Sequence, residues 1–328
     1  MSLTSAPPLV TIVIPIFNEE PVLPELFARL TAVFDGHRDM RWQALLVDDG
    51  SRDRSAELVC QRAECDHRFR LLGLTRNFGF QAALAAGLAE AETIKADVVV
   101  TMDADLQDPP ELITEMLARW REGAEVVLAV RRSRQEHGPR RLGMDLFHRL
   151  FQLVSDFPIE SNTGTFGLLD RAAVAALNSL PERHRFFPGL RAWVGFATME
   201  VYYDRQARAA GKPGQTMRRL ARYAFDGVFS FSYLPLRVLT YTGVFIGGCG
   251  FALGLYYVVK RLVDIERAPT GFTTLAALVL FLGGVQLIGI GVLGEYLARV
   301  YDEVKQRPLF LVKRPPAPTP GGPSAAAD

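Results

Sequence analysis

Asp103 and Asp105 are the two side chains in this chain best suited to chemistry. They stand in the run V-V-V-T-M-D-A-D-L-Q-D-P-P-E, Val98–Glu111. Val98–Met102 is an apolar run of the kind that forms a buried parallel strand. Alternation along the exiting backbone puts both aspartates on one side. Two anionic oxygen ligands at the C-terminal edge of a strand make a poor core and a good seat for a hard divalent cation. Pro109 and Pro110 end the strand, and Glu111 opens a helix, where an acidic first turn is favoured. A D-x-D triplet also occurs in solvated acidic turns, so the elements around it decide its meaning.

Those elements alternate. Val10–Phe17 is an apolar, β-rich run leading into Asn18-Glu19-Glu20, and a helix follows over about Val22–Phe34. Ala44–Val47 is a second short strand that ends in Asp48-Asp49-Gly50-Ser51, with a helix from about Ser55. Arg70–Leu74 is a third, running into Thr75-Arg76-Asn77-Phe78-Gly79 before the alanine-rich helix Gln81–Ala91. The Asp103 strand is the fourth, and Val126–Val130, ending in Arg131-Arg132, the fifth. Strands alternating with helices imply an α/β domain with a mostly parallel, doubly wound sheet. Polar residues collect just after the strand ends, where such sheets bind ligands. No G-x-G-x-x-G follows the first strand and no G-x-x-x-x-G-K-[ST] occurs, which argues against a dinucleotide-binding Rossmann domain and a P-loop.

Bulk charge excludes one partner class. Lys plus Arg is 37 and Asp plus Glu is 36, so nucleic acid is not expected. Cys60, Cys65 and Cys249 form no C-x-x-C pair and read as ordinary thiols rather than a zinc site or disulfide framework. His137, His148 and His184 lack metal-like spacing, and Trp193 and Phe196 read as packing or interfacial aromatics. The first basic residue is Arg29 and Pro15 breaks the early apolar run, so a cleaved leader is not expected.

Apolar residues are unevenly spread. Val238–Val259 and Gly271–Gly294 carry no charge, and helices of that length rise roughly 33–36 Å, enough to cross a hydrocarbon core of about 30 Å. The short connector Lys260–Pro269 predicts a hairpin with both ends on one side. Arg218, Arg219, Arg222 and Arg237 precede it, and Arg299, Lys305, Arg307, Lys313 and Arg314 follow it, against Lys260, Arg261 and Arg267 in the connector. That bias predicts the N-terminal domain and the C-terminal tail on the cytoplasmic face of the inner membrane. Met217–Tyr233 mixes arginines with aromatics and predicts an interfacial helix with a joint near Pro235. Gly243/Gly247 and Gly250/Gly254 are G-x-x-x-G pairs that suit packing against the partner span or a homo-oligomer. The expected organisation is a catalytic domain over 1–215, an interfacial helix over 216–234, a two-span hairpin over 235–298 and a C-terminal segment over 299–328, disordered from about 315.

Four motifs in order then resemble one family. P-I-F-N-E-E at Pro15–Glu20, D-D-G-S-R-D at Asp48–Asp53, R-N-F-G at Arg76–Gly79 and D-A-D-L-Q-D-P-P-E at Asp103–Glu111 are similar to family 2 glycosyltransferases of the GT-A (Rossmann-like) fold. The chain looks most like the polyprenyl-phosphate glycosyltransferases, and G-E-Y-L-A-R-V-Y-D-E-V-K-Q-R-P at Gly294–Pro308 resembles their bacterial branch. The resemblance implies an inverting transfer of a sugar from a UDP- or GDP-sugar to a polyprenyl phosphate, with Mg2+ or Mn2+. It places Pro15, Asn18, Glu19, Asp48, Asp49 and Arg76 beside the nucleotide, and Asp103, Asp105 and Gln107 at the metal. Arg131, assisted by Arg140 or Arg141, matches the acceptor-phosphate position, and Arg205 and Arg208 match arginines of a loop that closes on the phosphates.

The chain departs from the family where Gly164-Thr165-Phe166-Gly167 replaces the usual Gly-Asp-Phe-Arg, so Thr165 occupies an acceptor-side aspartate's place. Gly211-Lys212-Pro213-Gly214-Gln215 stands where G-x-S-K-Y is common, and Met144 near a common serine. The implied consequence is an altered acceptor pocket or sugar preference. Two other readings stay open: a non-catalytic nucleotide-sugar-binding scaffold, and a processive polysaccharide synthase. The latter is disfavoured because no Q-x-x-R-W occurs.

Overall fold

Leu9–Ile16 (β1), Arg41–Asp48 (β2), Phe69–Gly73 (β3), Val98–Thr101 (β4), Val126–Arg131 (β5), Thr163–Asp170 (β6) and Thr198–Tyr203 (β7) form one sheet in the computed structural model. Their order is β3-β2-β1-β4-β6-β5-β7. The structure describes residues 6–132, 163–183, 185–204, 234–263 and 271–313. These fall into two compact units: residues 6–132, 163–183, 185–204 and 308–313 in the first, 234–263 and 271–307 in the second.

β1 is deeply buried because it lies between β2 and β4, both parallel to it. Val10, Ile12, Val13 and Ile14 are fully buried, as a strand covered on both faces requires. Pro15 would normally be out of place in a central strand, since it donates no ladder bond. Val13 offers its carbonyl to Met102 on the β4 side. Pro15, two residues on, turns its ring nitrogen to that same side, where β4 has already ended at Thr101.

Helices Leu23–Gly36 (α1), Ser55–Cys65 (α2), Phe80–Thr93 (α3) and Ile113–Arg121 (α4) connect the parallel strands. α3 is rich in alanine because it lies close on the sheet: a Cβ on Gly87 would stand 2.2 Å from Val13 Cγ1. Glu111 sits in a short 3-10 turn, Pro110–Leu112, ahead of α4. Its carboxylate takes two hydrogen bonds from Arg29 of α1, at 2.9 and 2.6 Å, which tie the turn after the D-x-D run to the first helix.

The five strands expected from apolar runs are present, within a few residues of their expected bounds, and the mostly parallel α/β architecture is as expected. Two strands were not expected. β6 inserts between β4 and β5 and runs antiparallel to both, and β7 lies parallel to β5. Arg171–Ser179 (α5), capped by the Asp170 side chain, and Phe187–Trp193 (α6) stand between them in the chain.

Leu234–Val263 (α7) and Phe272–Val304 (α8) make up most of the second unit, and Pro235 lies in the first turn of α7. Leu236–Tyr256 and Phe281–Val304 are long and apolar enough to cross a membrane. Tyr241, Phe245, Phe251 and Leu287 are each more than 70 % exposed, which suits a lipid environment better than water. Among the described residues, a Cβ on Gly243, Gly247, Gly250 or Gly254 would meet nothing within 4 Å. α7 and α8 approach at Gly289, where a Cβ would stand 3.1 Å from Leu239 Cδ1. The expected interfacial helix over 217–233 and the tail from 315 lie outside the described residues.

Candidate active site

The C-terminal ends of β1, β2, β3 and β4 deliver the motif residues to one edge of the sheet. After β1, Asn18 adopts φ +56, a left-handed backbone that asparagine tolerates better than most residues. Its side-chain oxygen accepts from Arg52 N at 2.8 Å, and its own amide donates to Ser51 Oγ at 3.0 Å. The Glu19 amide donates to Ser55 Oγ at 2.9 Å. Asn18 and Glu19 therefore lock the loop after β1 to the loop after β2.

Asp48 and Asp49, at the end of β2, are both buried. Asp48 accepts from Ser51 N at 2.9 Å. Asp49 turns to the loop after β3: Phe78 N donates to Oδ1 at 2.7 Å and Gly79 N to Oδ2 at 2.9 Å. Burial raises the Asp49 carboxyl above its ordinary value against those two hydrogen bonds, and Asp48 adds to the rise. Gly50 makes the close approach possible: it sits at φ +74, and a Cβ there would stand 2.8 Å from Arg76 C and Asn77 N. Arg76 stacks over the Phe78 ring at 4.0 Å and donates to Asn77 O at 3.0 Å. The three loops form one hydrogen-bonded unit, and each Asp49 oxygen keeps lone-pair capacity for a ligand.

Asp103 lies just past β4, and Asp105 follows in a turn. Strand alternation does not set their arrangement, because β4 stops at Thr101. The turn does: Gln107 N donates to Asp105 Oδ1 at 3.2 Å, with buried Leu106 between them at φ +56. A leucine held in that region is strained, a cost that tends to gather at working sites. Burial, then the charges of Asp108 and Asp105, push the Asp103 carboxyl up to about 7, against the Thr165 hydrogen bond and the Arg131 charge. Three carboxylates crowded at one strand end carry negative charge that a cation would neutralise, so these residues fit a divalent metal. Among the described residues no group of three or more His, Cys, Asp or Glu side chains forms a ready cage. An ion held here by Asp103, Asp105 and Gln107 would complete its shell with water and ligand phosphate oxygens.

β6, antiparallel, brings its N-terminal end to this same edge. Thr165 Oγ1 donates to Asp103 Oδ1 at 3.2 Å, so Thr165 touches the expected metal ligand directly. Arg131, at the end of β5, comes against the same strand: a Cβ on Gly164 would stand 2.9 Å from its Nη2. Its Nε donates to the Tyr203 hydroxyl at 3.1 Å, and its Nη2 lies 3.7 Å from Asp108 Oδ1. Desolvation alone would lower the Arg131 pKa, but Asp108, Tyr203 and Asp103 outweigh it and hold the guanidinium charged. Arg140, Arg141, Arg205 and Arg208 lie outside the described residues.

Three residues of this region escaped the sequence reading. Asp108 and Tyr203 are buried beside the half-buried Arg131. Asp108 was legible only as a third acid in the D-x-D run, and nothing marked Tyr203. Arg191 of α6 is 5 % exposed and donates to Gly164 O at 3.2 Å, with burial lowering its pKa to about 10. A lone arginine between apolar residues carried no signal of burial.

Buried acids at strand exits, on a mostly parallel mixed sheet, define a GT-A-like transferase domain. The chain belongs to glycosyl transferase family 2, whose profile matches residues 11–177, and a GtrB C-terminal hairpin profile matches residues 234–300. Among its relatives, an uncharacterized glycosyltransferase of Synechocystis sp. is 43% identical, over 92% of this chain and 94% of that one. The SfII prophage-derived bactoprenol glucosyl transferase of Shigella flexneri is 39% identical, over 93% and 97%. A prophage bactoprenol glucosyl transferase homolog of Escherichia coli is 37% identical, over 93% and 98%.

Proposed function

We propose that this chain is a membrane-bound, inverting glycosyltransferase that moves a sugar from a nucleoside-diphosphate donor, UDP- or GDP-linked, to a polyprenyl phosphate. The observation that carries this reading is the end-to-end likeness to bactoprenol glucosyl transferases, through transferase domain and hairpin alike. The catalytic domain would face the cytoplasm, as the basic residues flanking the two spans argue.

Each group has a part. Asp48 and Asp49 accept hydrogen bonds from base or ribose, on a loop unit stiffened by Asn18, Glu19 and Gly50, with Pro15 at its base and Arg76 beside it. A divalent cation, Mg2+ or Mn2+, held by Asp103, Asp105 and Gln107 would stabilise the charge of the departing diphosphate. The acceptor phosphate is ionised near neutrality, with a second pKa of about 6, so it needs orientation more than deprotonation. Arg131 supplies that orientation through a planar fork suited to phosphate, joined by Arg140 or Arg141, while Arg205 and Arg208 close on the donor phosphates. A phosphate oxygen attacks the sugar C1 from the face opposite the diphosphate. The C1–O bond to that leaving group breaks with its electrons, and the anomeric centre inverts.

The test is turnover of the full-length protein in detergent or nanodiscs, with undecaprenyl phosphate and a panel of labelled UDP- and GDP-sugars. Single-sugar lipid product with one donor is expected. Long polymer would support a polysaccharide synthase, and donor binding without transfer a non-catalytic scaffold.

A further inference from the structure

The chain returns to the transferase domain after its second long helix. Residues 305–310 separate the end of α8 at Val304 from Leu311, and Val312 then pairs antiparallel with Leu74, just beyond β3. Leu311 O accepts from Thr75 N at 2.9 Å, and Lys313 N donates to Gly73 O at 2.7 Å. β3 is the last strand at this side of the sheet, so the segment covers an otherwise open edge. Burial does not explain the attachment: Leu311 is 51% and Val312 40% exposed. Backbone pairing holds it.

What it pairs with is the root of the loop after β3. Leu74 N donates the other way, to Asp48 O at 2.8 Å. Gly73–Thr75 is thus gripped from β2 on one side and from Leu311–Lys313 on the other. The next residues, Arg76 and Asn77, bear on Gly50, and Phe78 and Gly79 bind Asp49 through their amides. A loop that must already hold its shape when a ligand arrives gains affinity from such support, because less ordering remains to be done on binding.

We infer that Leu311–Lys313 is a positioning strand for the nucleotide side of the site, fixing the 76–79 loop from outside the sheet. This rests on the nucleotide role proposed above for Asp48, Asp49 and Arg76. It makes the segment following the membrane hairpin a working part of donor recognition.

The experiment uses full-length protein in nanodiscs and the variant Lys313→Pro, which removes the N–H that Gly73 O accepts. Lys313→Ala keeps that N–H and serves as control. Calorimetric binding of UDP and of GDP, each with Mn2+, is read beside the KM for donor and for acceptor and the hydrogen exchange of the Thr75, Phe78 and Gly79 amides. Lys313→Pro should weaken nucleotide binding and raise donor KM about tenfold, leave acceptor KM unchanged and speed exchange at those amides. Lys313→Ala should fall well short of Lys313→Pro on each of these readouts. If Lys313→Pro does not fold, a chain ending at Phe310 takes its place with the same expectation. Unchanged exchange and donor affinity, or equal losses for donor and acceptor, would overturn the inference. Wild-type protein that binds neither nucleotide would instead overturn the nucleotide reading, and the exchange data would still decide whether the strand positions the loop.

Discussion

The Tyr203 hydroxyl donates a hydrogen bond to the buried Asp108 carboxylate, and Arg131 reaches both members of that pair. The three side chains come from β7, from the turn beyond β4 and from β5. Their ring of contacts fixes where the Arg131 guanidinium points. Asp108 also accounts for part of the rise in the Asp103 pKa, so it acts on both the acidic and the basic half of the site.

Removing the charge at Asp108 should therefore strand Arg131. Asp108→Asn leaves a mostly buried guanidinium without its carboxylate, and breaking such a pair costs about 3–5 kcal/mol when complete. With Arg131 still 16 % exposed, the expected loss is about 2 kcal/mol, with at least a tenfold fall in kcat. Tyr203→Phe should lose less, about 1 kcal/mol. Thermal melts and steady-state turnover check both, and equal kcat in all three proteins would remove the positioning role.

Asp105→Ala should abolish metal-dependent transfer while expression and membrane insertion stay as in wild type. Turnover with and without added Mn2+, beside a membrane-fraction blot, reads this directly. Undiminished transfer would take Asp105 out of the metal site.

Asp103 gives the protein a pH signature. Its carboxyl is pushed up to about 7 in the fold from an ordinary value near 4. Between these values the folded protein binds more protons than the unfolded chain, so stability of the metal-free protein falls as pH rises from about 4 to about 7, then levels. A metal must displace that proton, so Mn2+ affinity should climb over the same range. Asp53, Asp66 and Glu111 are lowered and act with the opposite sign in more acidic solution. The difference between wild type and Asp103→Asn isolates the Asp103 part, and parallel melting curves against pH for the two proteins would refute it.

Gly50→Ala tests the junction of the loops proposed to hold the nucleotide. The new Cβ meets main-chain atoms of Arg76 and Asn77 at 2.8 Å, at a φ of +74, and backbone cannot swing aside as a flexible side chain can. A loss of about 1–3 kcal/mol is expected, with a raised donor KM and an unchanged acceptor KM. Melting temperature and the two KM values decide it.

Burial pattern explains what could be read before the structure. β1, β2 and β4 are apolar through most of their length because both faces are covered, and their motif residues fall at or just past their ends. β6 gave no such run: Thr163, Gly164, Thr165, Gly167 and Asp170 make more than half of it small or polar, and glycine is a poor strand former. It forms because Gly164 and Gly167 admit Arg131 and Arg191 alongside, a tertiary reason that local pattern does not contain. β7 is exposed at Thr198, Met199 and Tyr202, so only Val201 and Tyr203 mark its inner face. Asp103 and Asp105 lie beyond the last residue of β4, so a turn with Leu106 in the left-handed region, and not the pleat expected from the triplet, sets their arrangement.

The reversed direction of β6 has a consequence of its own. Its neighbours reach the candidate-site edge by their last residues, whereas β6 reaches it by its first, so Thr165 and Asp103 meet head to tail. Under the roles proposed above, a change of acceptor would fall in a stretch of chain separate from the loops that hold the donor.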